Sequence, residues 1–292
     1  MPTPALPSAW ANPTGPHKVA MEEEDTLNGH TIYRPEDLKA LGKKEKLPIV
    51  AFAGPGCDFN GTAFRPFFTE VASHGYLVVV SGPPEPKGSS APTAPKTKAA
   101  DITASVDWAV AESQRKESKF YGHIDSAKIA IMGQSCGGLQ VLSLAQDPRL
   151  TTVILWNSGI FKAGAGPTPP RSTPATSLPG MGPLMGLTKD LLQSIHVPMA
   201  YFVGKTDMAS PNAQDDFAHI DHLPVFLGIL DIPGDAHAGT FRQDNGGKFA
   251  VAGVAWLDWR LKGDSKAAKM FQAPDCGLCA DPQWIVMKKK ID

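Results

Sequence analysis

The stretch at 128–139, KIAIMGQSCGGL, constrains this chain more than any other. A short apolar run of strand character meets a glycine-bracketed turn, and a helical stretch follows at 139–145. Within it, Gly133-Gln134-Ser135-Cys136-Gly137 is a G-x-S-x-G pattern, in which a strand reverses straight into a helix and holds its serine in a strained turn. Side chains two positions to either side would crowd that turn, so glycine stands at both. The serine hydroxyl is left exposed at the end of the sheet, where the helix start aims backbone N–H groups at whatever reacts there. A hydroxyl so presented needs a base, an acid that orients the base, and an oxyanion hole.

The rest of the chain supplies the setting. Its 292 residues are 42% hydrophobic, enough for a sizeable core. A net charge of −1 and the lack of a Lys/Arg-rich stripe give no electrostatic case for a nucleic-acid partner. No apolar run reaches membrane-spanning length. The opening residues have neither a basic n-region nor an apolar h-region, so the chain as given reads as cytoplasmic, the alternative being the mature form of an exported protein.

Residues 1–14 are Pro-rich and read as a flexible arm, and 15–292 as a single domain. Two short segments, 17–22 and 30–33, suggest an antiparallel pair, and 34–46 a charged, helical surface connection. Continuous apolar runs at 47–53, 76–80, 152–156, 198–203 and 225–232 have the character of strands buried on both faces. Helical patterns at 62–74, 99–117, 212–222 and 248–261 alternate with them. That alternation predicts an α/β fold: a mostly parallel, doubly wound central sheet flanked by helices. The Pro/Gly/Ser loop at 82–98 is long enough to move, and the Pro/Gly-rich insertion at 161–187 reads as a lid or pocket wall.

Among eight histidines, His237 lies in a small-residue loop just past the last predicted strand, where loops of a doubly wound sheet converge on a ligand site. It is the expected base. Asp207 follows the 198–203 strand on the same side and is the expected acid, with Asp235 as its competitor; Asp215 and Asp216 read as a solvated helix face. The order Ser135, Asp207, His237 is that of the α/β hydrolases. The backbone N–H groups of Cys136 and Cys57, the latter in the Gly54-Pro55-Gly56-Cys57 turn, are the expected oxyanion hole. This places Cys57 and Cys136 near each other, either as a disulfide or as two buried thiols. Cys276-Gly277-Leu278-Cys279 is an isolated C-x-x-C in the 263–292 tail, a local clip or two free thiols.

With these residues placed, the chain resembles the α/β-hydrolase superfamily, and within it the branch of dienelactone-hydrolase-like proteins and bacterial cutinase-type polyester hydrolases. The matching pieces are Pro55-Gly56-Cys57, the run SHGYLVV at 73–79, VDWA at 106–109, the serine turn, Asp207 and His237, over roughly 15–262. In cutinase-like relatives the residue after Pro-Gly is an aromatic that also contacts substrate; here it is Cys57. The tail resembles that of a set of largely uncharacterised microbial α/β hydrolases, often exported, with the same Gly-Cys loop and S-C-G-G turn. The resemblance implies a serine ester hydrolase working through an acyl-enzyme on a small-molecule ester, without cofactor or metal. Phe59, Trp156, Phe161 and Met208 are the expected substrate-binding residues. Two rivals share the fold: a non-hydrolytic lyase, cyclase or acyltransferase, and an inactive binding protein.

Overall fold

The computed structural model describes residues 12–42, 45–84, 96–162, 183–234 and 236–291. Most of the 1–14 arm, the 82–98 loop and the 161–187 insertion lie outside them, as does Asp235.

The described residues contain nine strands in one sheet: β1 (Val19–Glu24), β2 (Leu27–Pro35), β3 (Leu47–Ala53), β4 (Leu77–Ser81), β5 (Ile124–Gln134), β6 (Thr152–Trp156), β7 (Met199–Gly204), β8 (Val225–Leu230) and β9 (Trp284–Lys289). Their spatial order is β1-β2-β4-β3-β5-β6-β7-β8-β9. Pairs from β4 through β8 are parallel; β1–β2, β2–β4 and β8–β9 are antiparallel. The expected doubly wound, mostly parallel sheet is therefore present.

Helices α1 (Arg65–Ser73) and α5 (Gly247–Lys262) cover one face, and α2 (Ala99–Gln114), α3 (Cys136–Leu144) and α4 (Ser210–His219) the other. Burial on both sides explains the unbroken apolar runs. In β3, Ile49 and Ala51 turn to the α2–α3–α4 side, while Val50 and Phe52 turn to the α1–α5 side. The first side is mainly aliphatic. The second is aromatic: Phe52, Phe64, Phe67 and Phe68 pack together there, with Phe64 stacked on Phe241 at 4.2 Å.

Two expectations are corrected. The described part of 34–46 forms no helix beyond one short turn at Leu38–Ala40, capped by Asp37. The tail, after short helices α6 (Ser265–Ala268) and α7 (Gly277–Ala280), ends in an unforeseen strand, β9, paired along the whole of β8. Its two lysines hold it down. Lys288 Nζ donates to the Phe271 carbonyl, and Lys289 Nζ to the carbonyls of Phe217, Ala218 and Ile220 at the end of α4. A cation suits the negative end of a helix. Among the described residues no helix is long and apolar enough to cross a membrane.

Candidate active site

Strand β5 ends at Gln134 and α3 begins at Cys136, so the whole reversal falls on Ser135, which adopts φ 54°, ψ −120°. This left-handed conformation is uncommon for any residue but glycine. The turn is tight enough to explain its glycines. A Cβ on Gly133 would lie 2.3 Å from the Gly137 carbonyl oxygen, and one on Gly137 would lie 2.1 Å from that of Ala53. Backbone bonds fix the turn: Ser135 N–H donates to the Trp156 carbonyl (3.0 Å), and Gly137 N–H to that of Gly54 (3.1 Å). Ser158 Oγ donates to the Ser135 carbonyl at 2.8 Å.

The expected partners converge on this hydroxyl. His237 Nε2 lies 2.9 Å from Ser135 Oγ, and His237 Nδ1 lies 2.7 Å from Asp207 Oδ2. A carboxylate only accepts, so Nδ1–H donates to Asp207, and Nε2 is left to accept from the serine hydroxyl. The Asp207 carboxyl is buried and its second oxygen accepts from Ala209 N–H; the His237 side chain remains 32% exposed.

Two residues not singled out from the sequence hold the His237 loop in place. The Asn157 side chain donates to the carbonyls of His237 (2.8 Å) and Ala236 (3.1 Å) and accepts from Gly204 N–H (2.8 Å). It thereby joins the end of β7, three residues before Asp207, to the loop that carries His237. Gln134 Nε2 donates to the same His237 carbonyl at 2.8 Å. Asn157 is fully buried and itself at φ 43°. A sequence signal existed: it is the first residue past a buried strand on the side where loops gather.

Cys57 and Cys136 form a disulfide with Cα atoms 5.2 Å apart. Of the two alternatives, the bond is the one present. Cys57 is itself left-handed, at φ 51°. Its carbonyl accepts from Thr97 N–H (2.7 Å), and Gln140 Nε2 reaches both Cys57 Sγ (3.0 Å) and the Thr97 carbonyl (2.6 Å). Cys136 is the first residue of α3, so its N–H has no acceptor one turn behind it. Cys276 and Cys279 form the second disulfide, a clip across three residues beside α7.

Beside Ser135 and His237 opens a cleft with apolar walls from Leu139, Phe161, Met208 and Ala209 and polar ones from Asn157, Ser158 and Asn212. Met208 is 79% exposed at its side. Of the four expected substrate-binding residues, Phe161 and Met208 line this cleft, and Trp156 and Phe59 do not. Strand parity explains Trp156. It turns to the aromatic face, stacked on Phe202 at 4.8 Å, and the next residue, Asn157, takes the cleft position. Phe59 packs instead against the start of β2, where a Cβ on Gly29 would lie 2.5 Å from its ring tip.

Asp216 is a further correction. It is fully buried on α4, and burial pushes its carboxyl up to about 6 against the pull of Lys189 beside it. Among the described residues no cluster of His, Cys, Asp and Glu has the makings of a metal site.

A model of the PET hydrolase-like family matches residues 2–168, a span that takes in the Cys57 turn and the Ser135 turn and stops before Asp207 and His237. No curated protein matches the sequence.

Proposed function

The chain belongs to the PET hydrolase-like family, cutinase-type ester hydrolases of α/β-hydrolase fold, and from that premise we propose that it is a serine ester hydrolase whose triad is Ser135, His237 and Asp207. The observation that carries the reading is the unbroken line from Asp207 through His237 to Ser135, at 2.7 and 2.9 Å, ending on a serine held in a strained turn.

In this mechanism His237 Nε2 takes the Ser135 proton as Oγ attacks the ester carbonyl. Asp207 holds the imidazole in the required tautomer and stabilises its protonated form. The N–H groups of Cys136 and Cys57 receive the developing oxyanion, each such donor contributing about 3 kcal/mol of transition-state stabilisation. The imidazolium then protonates the leaving alcohol, and a water activated by the same histidine hydrolyses the acyl-enzyme. Leu139, Phe161, Met208 and Ala209 favour a moderately apolar acyl or aryl group. Cys57 offers substrate an N–H and no ring, so a compact soluble ester suits this cleft better than a polymer chain.

The test is hydrolysis of p-nitrophenyl esters, acetate to octanoate, by wild type and Ser135→Ala. Turnover that the variant lowers at least about a thousandfold supports the reading. Absence of both turnover and Ser135 labelling by a fluorophosphonate would sink it. Labelling without hydrolysis would point to acyl transfer.

A further inference from the structure

Ile160 lies between two residues that line the cleft, Gly159 and Phe161, while its own side chain is in the aliphatic core. Both of its backbone polar groups are taken by side chains from other parts of the chain. Its N–H donates to Asp216 Oδ2 (2.9 Å), and its carbonyl accepts from Lys189 Nζ (2.9 Å). Asp216 and Lys189 are also an ion pair with each other. Around them, the Tyr201 hydroxyl donates to Asp216 Oδ2 (3.3 Å), and Lys189 Nζ also meets Asp215 (2.9 Å). One residue of an irregular segment is thus gripped at both its polar groups by a single charge pair.

The neighbouring backbone has little room to move. A Cβ on Gly159 would lie 2.7 Å from the backbone nitrogen of Ala213, so this segment lies directly on α4. Burying a charge pair is costly, and apolar residues of similar size would often pack at least as stably. Apolar residues would not, however, hold an N–H and a carbonyl of the same residue. What the pair supplies is the fixed position of the backbone next to Phe161.

We propose that Asp216 and Lys189 are the positioning pair that sets acyl-chain selectivity: by gripping Ile160 they fix where Phe161 stands relative to Ser135, and so the size of acyl group the cleft accepts. This rests on the ester-hydrolase reading of the same site. Neither residue touches the reacting atoms.

The experiment measures kcat and KM along the p-nitrophenyl acetate-to-octanoate series, and rates of Ser135 labelling by methyl to octyl fluorophosphonates. The proteins are wild type, Asp216→Asn, Lys189→Met, Lys189→Arg and the paired Asp216→Leu/Lys189→Met, which leaves no lone buried charge. Asp216→Asn and the paired variant are expected to change the octanoate-to-acetate ratio of kcat/KM about tenfold or more, through KM of the long esters, with kcat on acetate within about threefold. Lys189→Met shifts the ratio in the same sense, and Lys189→Arg restores the wild-type profile. Should the paired variant fail to fold, Lys189→Met carries the test. A parallel change along the series, or an unchanged profile in folded variants, overturns the proposal. Wild type that neither hydrolyses nor labels overturns the ester-hydrolase reading and the pair's role with it; normal labelling with an unchanged chain-length profile overturns the pair's role alone.

Discussion

The turns carrying Cys57 and Ser135 are joined by a covalent bond, Cys57–Cys136, whereas the loop carrying His237 is held by amide hydrogen bonds, from Asn157, which also accepts from the end of β7 before Asp207, and from Gln134 at the end of β5. Under the proposed mechanism, the difference follows what each half has to do. Oxyanion donors act by being already in place when charge develops, so rigidity there is pure gain. An imidazole that first accepts and then returns a proton has to reorient slightly between serine and leaving group. Hydrogen bonds through its backbone carbonyl hold the loop without engaging the ring, which keeps its own bonds to Asp207 and Ser135. A second contrast lies between the two disulfides: one closes 79 residues and couples β3 to α3, the other closes three at the edge of the tail.

Breaking the hydrogen-bonded half is expected to have the largest effect on rate. Asn157→Ala removes both donors to the Ala236 and His237 carbonyls and the acceptor for Gly204. It should lower kcat by about 10²-fold with KM little changed, because a displacement of the order of 1 Å suffices for such a loss. Gln134→Leu, which leaves Asn157 in place, should cost about tenfold; steady-state kinetics on one ester compares the two.

Breaking the covalent half tests stability as much as rate. For Cys57→Ser/Cys136→Ser, loop-closure entropy alone predicts about 4–5 kcal/mol lost at this separation. That should lower the melting midpoint by roughly 10 °C and kcat by less than Asn157→Ala does. Equal thermal losses from this variant and Cys276→Ser/Cys279→Ser would collapse the contrast, since the short clip is worth about 2 kcal/mol on the same argument. The clip variant should keep its activity within about twofold of wild type.

The smallest effect is a slope. The Asp216 carboxyl titrates at about 6 in the folded protein and at its ordinary 3.8 when unfolded, burial being the main cause. Between those values the folded state binds more protons, so the contribution of Asp216 to stability is full below about 3.8 and is lost as pH rises through about 6. Among the described residues Lys189, which also pairs with Asp215, and Tyr201 are the charged or titratable groups in contact with it. Denaturation of Asp216→Asn from pH 4 to 7 should show that falling limb removed. An unchanged limb would assign it to other groups.

What was legible from the sequence divides along physical lines. Strands β3 and β6 were placed to the residue, because burial on both faces leaves a composition signal that needs no partner. The serine turn was legible because its glycines answer a purely local steric demand. Trp156 was misassigned to the cleft because which side a strand residue faces depends on register, which composition does not carry. Asp216 was misread as solvated because its partners, Lys189 and the Ile160 backbone, are 27 and 56 positions away. Strand β9 was missed because only Trp284 of its six residues is buried, and its lysines look like a solvated tail until α4 is there to receive them.

Strand β9 has a consequence for how the protein is made. It covers β8, the strand that runs directly into the loop bearing His237. During translation β8 leaves the ribosome more than fifty residues ahead of the strand that shields it. For that interval the nascent chain presents an apolar edge with unsatisfied backbone groups, a template for pairing with other chains. The segment that ends this exposure is therefore made more than fifty residues after the edge it protects.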